Sequence, residues 1–350
     1  MNKRTKRIPV ANALILLTLG SASLKAGEKP SAASVPLTLE QFPTAETHHM
    51  MKVAIDNFDC FGQWAHLRGF TPLDQQTVVR MNRDTLYSSI VLDLTEPATL
   101  IKSDTEGRYQ SVLVMNEGHF AKLVAYEPGE YELTQEAMGS RYVAIIARTL
   151  VDAEDPEDVA AAHKAQDGLG VKQKSKGRFD VPNWDPEALG EMREALKTLG
   201  NYLPSRDHSF GASIEDVDPI DHLVSTADAW GGWQPEHAVY KNFVPQQNDG
   251  KTAYTLTLKD VPAGDNAFWS ISVYNEEGFF QENESGKYVV NSRNAEADED
   301  GAVTIHFGGD SAQPNSLPIM PGWNYMLRIY LPEKAYFDGS WKAPEPKAAK

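Results

Sequence analysis

Apolar and polar residues alternate with period two in two separate parts of the chain, which predicts two β-rich modules. In the first part, from Tyr87 to Leu150, short alternating runs are separated by turns rich in Gly, Pro and Glu. In the second part, strands are predicted over residues 252–258, 267–274, 303–307 and 325–331.

Helical signals precede and separate these two parts. Apolar residues at spacings of three and four predict an amphipathic helix over 46–66. An Asp-Pro pair at 155–156 predicts a helix that continues to about Lys174, because acids and proline favour the first helical turn. Further helices are predicted from Asp185 to Leu199 and from Pro219 to Trp230.

This order of elements predicts a mainly β chain of the α+β class with a helical connection. The predicted parts are a signal peptide (1–26), a flexible leader (27–42), an N-terminal β-rich module with a leading helix (43–150), a helical connector (151–232) and a C-terminal β-sandwich module (233–345).

The amino terminus has the order of a secretory signal: basic residues, the apolar run 8–19, then small residues. That run is shorter than the roughly 20 residues of a membrane-spanning helix. We therefore expect a periplasmic or secreted protein with no membrane span after removal of the signal.

The formal net charge of −16 argues against nucleic acid and anionic membrane surfaces as partners. Cys60 is the only cysteine, so no internal disulfide can form, and its apolar neighbours favour a buried inert thiol over a nucleophile. A homo-oligomer stays an open alternative.

Hydrogen-bonding side chains crowd into residues 80–89, Arg-Met-Asn-Arg-Asp-Thr-Leu-Tyr-Ser-Ser, just before a predicted strand. One interpretation is a buried polar corner in which Arg80 or Arg83 pairs with Asp84. The other is a ligand site at the mouth of a sheet. Its ligand-binding residues would be Asn82, Arg83, Asp84 and Tyr87.

Aromatic side chains follow two predicted strands of the second module, which indicates either sandwich core or a stacking platform for a sugar or an aromatic ligand. In the second interpretation the ligand-binding residues are Trp269, Tyr274, Asn275, Trp323, Asn324 and Arg328.

His119 is the first choice for acid–base chemistry, because it ends a predicted strand and Glu117 lies two residues before it. In an enzyme, His119 would act as base and Glu117 or Asp84 would orient it. The alternative is a turn histidine bonded to the backbone.

Motifs for metals, nucleotides and activated serines are missing. The adjacent His48 and His49 would diverge by about 100° on a helix, and the acidic run 296–301 lacks the closing glutamate of a calcium loop. We predict no metal and no cofactor.

The run 80–89, together with residues 267–274 and 321–330, resembles a bacterial two-module family, catalogued as paired domains of unknown function numbered twelve-fifty-four and twelve-fourteen. The resemblance covers nearly all of the chain after about Phe42 and points to the short, exported form. It implies a β-rich module, a helical connection and a jelly-roll-like β-sandwich, and it implies no established reaction. Relatives often carry cysteines at the positions of Asp310 and Ser316, so a disulfide across that loop is missing here.

The main functional prediction is an exported binding protein that holds a small organic or glycan ligand between two β modules. The alternatives are a metal-independent hydrolase or lyase with His119 as base, and a structural protein of the cell envelope.

Overall fold

The structure, a computed structural model, describes residues 34–76 and 79–349. The helices in these ranges are α1 (Phe42–Phe58), α2 (Gln135–Met138), α3 (Pro156–Asp167), α4 (Pro186–Gly200), α5 (Pro219–Asp228) and α6 (Lys334–Phe337). The strands are β1 (Ala65–His66), β2 (Thr85–Asp93), β3 (Ala98–Lys102), β4 (Gln110–Asn116), β5 (Ala121–Ala125), β6 (Gly129–Leu133), β7 (Tyr142–Leu150), β8 (Leu169–Gln173), β9 (Ala238–Phe243), β10 (Tyr254–Leu258), β11 (Trp269–Tyr274), β12 (Val289–Asn291), β13 (Val303–Phe307), β14 (Ser316–Leu317), β15 (Asn324–Tyr330) and β16 (Lys347–Ala348).

The first module contains a five-stranded sheet, in the order β1-β2-β7-β4-β5, and a three-stranded sheet, in the order β6-β3-β8. Alternate residues of β2, β4 and β7 form an apolar core with residues of the smaller sheet, such as Ile90, Val114, Ile145 and Leu100. Because side chains alternate between the two faces of a strand, the remaining residues of the larger sheet point to its other face.

The second module is a β-sandwich. One sheet has the order β12-β11-β15-β9 and the other β14-β13-β10-β16. Trp269, Ile271, Phe307, Trp323 and Leu327 lie in the core between them.

The two modules share a third apolar core. Tyr87, Val91 and Ala144 of the larger first sheet pack in one cluster with Tyr274 and Tyr330 of the β11-β15 sheet. Each of these two sheets therefore has a core on both faces, which explains why every residue of β7, β11 and β15 is buried.

The helices between the modules begin as the sequence predicts. Asp155, Asp185 and Asp218 each cap a helix by accepting hydrogen bonds from backbone N–H groups of the first turn, and a proline follows each of them. The amphipathic helix also forms, as α1, although it ends at Phe58 and residue 66 lies in β1.

One helix prediction is wrong in extent. The helix that begins at Pro156 ends at Asp167 rather than near Lys174, and residues 169–173 form β8, which pairs with β3 of the first module. The predicted connector 151–232 therefore includes a strand of the first module's smaller sheet.

The predicted signal peptide, 1–26, lies outside the described residues, as does the predicted leader as far as residue 33. The described remainder of the leader contacts the fold at a few points. Val35 donates its N–H to the carbonyl of Asn183 at 2.7 Å, and Leu37 contacts the apolar cluster between α1, α4 and α5. Most other side chains of residues 34–41 are exposed, and the flexible leader stays a prediction.

The predicted fold class is confirmed: the chain is mainly β, of the α+β class, with antiparallel sheets in both modules and helices between them. In the part of the chain that the structure describes, no helix has the length and apolar character needed to span a bilayer.

Candidate functional site

A cavity of about 20 Å³ lies where the two modules meet, which is room for one or two water molecules. Both modules and the segment after α5 contribute to its wall. The lining residues are Arg80, Asn82, Tyr87, Arg148, Gly232, Trp233, Tyr240, Met326, Arg328 and Tyr330. Three of these ten residues are buried arginines.

Arg328, in β15, is fully engaged with neighbouring protein groups. Its Nη2 donates to the carbonyl oxygens of Arg80 and Met81 at 3.0 and 3.2 Å and to Tyr274 Oη at 2.6 Å, and its Nη1 donates to Ser272 Oγ at 2.7 Å. This guanidinium holds the backbone turn of the first module against the second module.

Arg148, in β7, is held loosely by comparison. Its Nε donates to Tyr87 Oη at 3.4 Å and its Nη2 to the carbonyl oxygen of Gly231 at 3.3 Å, and its guanidinium lies 4.3 Å from the ring centroid of Trp233. Arg148 Nη1 is buried and has no hydrogen-bond partner among the described residues. Trp233 Nε1, on the same cavity wall, is also buried and unpaired there.

Arg80 precedes β2 and is 2% exposed. Its Nη1 donates to Asn324 Oδ1 at 2.5 Å, whereas Nε and Nη2 are buried without a partner in the described residues. Burial lowers the pKa of Arg80 to about 10, so the side chain is still charged at neutral pH. Two charged side chains on the cavity wall, Arg80 and Arg148, therefore carry N–H groups that have no hydrogen-bond partner among the described residues.

None of these three arginines forms an ion pair with a carboxylate of the described residues. Other arginines do: Arg141, Arg193 and Arg206 each pair with one carboxylate, and the buried Arg108 and the exposed Arg293 share Asp158. Leaving a buried charge without a partner is costly, so the region around the cavity carries positive charge that an anion would offset.

Asp84 is the buried carboxylate of the polar run, and it faces the second module. Its Oδ2 accepts from Ser270 Oγ at 2.7 Å and its Oδ1 from Asn291 Nδ2 at 3.1 Å. Burial raises the pKa of Asp84, and the charge of Arg328 and these two hydrogen bonds partly offset the rise. The run is therefore a polar corner, but Asp84 pairs with neither Arg80 nor Arg83, contrary to that interpretation of the sequence.

Asn82 and Arg83 take different places. Asn82 lines the cavity, accepts from the backbone N–H of Asp84 at 2.6 Å and donates to Tyr330 Oη at 2.8 Å. Arg83 points elsewhere: its guanidinium stacks on Phe70 at 4.9 Å and donates to a loop carbonyl.

The predicted aromatic platform is divided between two cores. Trp269 and Trp323 lie inside the sandwich, where no ligand has access. Tyr274 belongs to the core shared by the modules, and its Oη donates to the carbonyl of Met81 at 2.8 Å. Asn324 holds Arg80, and Asn275 Oδ1 accepts from Phe279 N–H in a turn. Of the predicted ligand-binding residues, Asn82, Tyr87 and Arg328 line the cavity.

His119 is 3% exposed and both of its ring nitrogens are engaged. Nε2 accepts from the backbone N–H of Gly231 at 2.8 Å, so Nδ1 carries the proton and donates to Thr226 Oγ1 at 2.9 Å. Burial, with a contribution from His222, lowers the pKa of His119 well below its usual value. His119 is thus a neutral residue that fixes the loop before Trp233.

The three residues predicted to act together in catalysis are separate. Glu117 accepts from His48 Nε2 at 2.7 Å, and His48 Nδ1 accepts from Trp184 Nε1 at 3.0 Å. Asp84 bonds with the second module instead. Neither carboxylate partners His119, so the arrangement that a general base requires is not formed in this region.

Sequence reasoning did not single out Arg148, Trp233 or Tyr240 as site residues. A usable signal was present for Arg148, because it is the one charged residue of the mainly apolar strand Tyr142–Leu150. A buried strand tolerates a charge where a partner, or a ligand, meets it. Among the described residues, no three His, Cys, Asp or Glu side chains converge as metal ligands.

The fold and this cavity define a protein of two docked β modules with an arginine-lined cavity between them. Two family models match the sequence: "Protein of unknown function (DUF1254)" over residues 61–173 and "Protein of unknown function (DUF1214)" over residues 240–334. Together they match more than half of the chain. The chain therefore belongs to the two-module family that pairs these domains, as its sequence motifs predict.

Two solved structures are similar. The crystal structure of the VPA0106 protein from Vibrio parahaemolyticus matches with a TM-score of 0.66 and 19% identity, over 89% of this chain and 98% of that chain. An uncharacterized protein from Burkholderia cenocepacia matches with a TM-score of 0.48 and 14% identity, over 88% of this chain and 87% of its own. The Vibrio structure shares the fold. No curated protein matches the sequence significantly.

Proposed function

We propose that the protein binds a small organic anion in the cavity between its two modules. One observation carries the proposal: two buried arginines on the cavity wall, Arg80 and Arg148, have N–H groups without partners in the described residues, and no carboxylate there pairs with them.

The chemistry of these donors specifies the ligand's charge. A buried unpaired donor costs about 1–3 kcal/mol, and more when the group is charged. An oxyanion would accept hydrogen bonds from both arginines and neutralise their charge at the same time. Trp233 Nε1 supplies a further unpaired donor on the same wall.

The size of the cavity limits what it can enclose. With about 20 Å³ of space, it admits a charged head group rather than a whole sugar ring. A glycan held on an aromatic platform is not supported, because Trp269 and Trp323 lie in the sandwich core.

Residues 1–26 support export, so we also propose that the protein meets its ligand in the periplasm or outside the cell. Fractionation of cells that express the whole chain, with detection of the mature protein, tests this part separately.

Binding can be tested by thermal melts and titration calorimetry of the mature protein in chloride-free buffer with formate, acetate, sulfate or phosphate. A ligand at one hundred times its Kd adds about 2.7 kcal/mol to the free energy of unfolding and raises Tm. At least one of these anions should do so.

Arg148→Met should abolish that rise because it removes one charged donor and keeps the side-chain length. Arg178→Met is the matched control, because Arg178 is exposed and pairs on the surface with Asp180. The proposal fails if no anion raises Tm, or if Arg148→Met responds as the native chain does.

A further inference from the structure

We infer that the anion is a carboxylate, and that Arg80 selects it through the Nε and Nη2 edge of its guanidinium. This inference rests on the proposed anion site and adds the class of ligand and the residue that specifies it.

Other arginines of this chain show how that edge is used. Arg141 donates from Nε and Nη2 to the two oxygens of Asp93 at 2.9 and 2.7 Å. Arg193 donates from the same two nitrogens to Glu46 at 2.7 and 2.6 Å. The spacing of two parallel N–H groups matches the two oxygens of a carboxylate, which gives such pairs both strength and geometric selectivity.

The same edge of Arg80 is buried, and it has no hydrogen-bond partner among the described residues. Both unpaired atoms of its side chain, Nε and Nη2, belong to it, and Nη1 is already occupied by Asn324. Within the described residues no carboxylate of the chain reaches this edge. A carboxylate completes this pairing at Arg141 and Arg193, so a carboxylate is the partner that we expect at Arg80.

The backbone of Arg80 is fixed in a way that presents this side chain. Its φ is +58°, in the left-handed region that a residue other than glycine seldom adopts. Its N–H donates to the carbonyl of Gly278 at 2.7 Å, and its carbonyl accepts from Arg328. A strained conformation persists where surrounding contacts determine it, and such positions concentrate at ligand sites.

The remaining donors and the space fit a flat head group. Arg148 Nη1, with two N–H groups, and Trp233 Nε1, with one, are unpaired donors that can add to a carboxylate oxygen already held by Arg80. A tetrahedral sulfonate or phosphate carries a third oxygen out of the plane, and the cavity of about 20 Å³ leaves little room for it.

The test uses ligands that differ only in the head group: acetate, methanesulfonate and acetamide, titrated into the mature protein by calorimetry without chloride. We expect acetate to bind at least about tenfold more tightly than methanesulfonate, a difference of about 1.4 kcal/mol, and acetamide not to bind. Methanesulfonate that binds as tightly as acetate would overturn the carboxylate inference and leave the anion site standing. If neither anion binds, the carboxylate inference fails, and the proposed function fails as well when formate, sulfate and phosphate also leave Tm unchanged.

Two lysine variants separate selectivity from charge. Arg80→Lys keeps the charge and loses the two-pronged edge, so the preference for acetate over methanesulfonate should disappear. Arg148→Lys keeps a single charged donor, so the preference should remain even if affinity falls. An unchanged preference in Arg80→Lys overturns the role of Arg80; if that variant does not fold, the head-group comparison in the native chain still decides the ligand class.

Discussion

Arg328 of the second module donates a hydrogen bond to the carbonyl oxygen of Arg80 in the first, at 3.0 Å, so one guanidinium fixes the backbone that carries another. Both lie near the ring of Tyr274, with guanidinium carbons 5.5 and 5.8 Å from its centroid. These two positive charges lie close together, and each is held by hydrogen bonds to neutral groups. Arg328 is therefore a positioning residue, and Arg80 is the one whose unpaired N–H groups can bind the ligand.

Replacing Arg328 with methionine should cost roughly 3 kcal/mol or more of unfolding free energy, because the buried carbonyl of Arg80 loses its donor and the carbonyl of Met81 keeps only the bond from Tyr274. Urea titration measures the change. Arg148→Met should cost far less without a ligand, since the bonds of Arg148 are long and its charge has no ion-pair partner. Equal losses in the two variants would contradict this assignment of roles.

Asp158 should tie the modules together. It accepts from Arg108 of the first module at 2.7 and 2.9 Å and from Arg293 Nε of the second at 2.8 Å. Removing one partner of a buried ion pair typically costs about 3–5 kcal/mol, so Asp158→Asn should lower the unfolding free energy by about that much.

Acid should have a similar effect on this contact. Burial alone would raise the pKa of Asp158, but the bonds from both arginines lower it well below its usual range. The stabilisation is therefore complete above the unfolded pKa of about 4 and is lost as the pH falls below it. Asp56→Asn, at an exposed pair with Lys52, is the control and should change stability little. A control that loses as much stability as Asp158→Asn would refute the prediction.

His119 predicts a second pH dependence, of stability rather than activity. The folded protein keeps this imidazole neutral because burial lowers its pKa, while the unfolded chain takes up a proton near pH 6.5. The unfolding free energy should therefore fall as the pH drops below about 6.5, by up to about 1.4 kcal/mol per pH unit from this group. Urea titrations between pH 7 and pH 5 should show a weaker dependence in His119→Gln and an unaltered one in His208→Gln, at an exposed position.

The thiol of Cys60 should be inert in the native protein. Burial raises its pKa to about 11, so little thiolate exists near neutral pH. An aromatic disulfide reagent should react slowly with the folded chain and rapidly in denaturing urea. Fast labelling of the folded chain would show that α1, which packs over this region, opens readily.

Local signals were enough to predict the fold class and most elements. Asp-Pro pairs marked the helix starts at 155 and 185, because they supply an N-cap and a residue suited to the first turn, and Pro219 marked a third start. The error after Pro156 arose because Leu169–Gln173 is only five residues long and contains a glycine, so nothing local distinguishes it from the end of a helix. Its pairing with β3 is a tertiary contact.

The site was harder to predict because its parts are distant in sequence. The run at 80–89 was recognised as distinctive, but the partners of Arg80 and Asp84 lie in the second module and no local pattern names them. Whether an aromatic strand residue is core or ligand platform depends on which of two sheets covers it. That is why Trp269 and Tyr274 of one strand end in different cores.

The sheet formed by β11 and β15 has a further consequence. One face of it is finished only by the first module, so a second module produced alone would present Phe268, Tyr274, Met326 and Tyr330 to water together with the charge of Arg328. Such a surface favours aggregation over solubility. The two modules should therefore depend on each other for folding, and together they should melt as one cooperative unit.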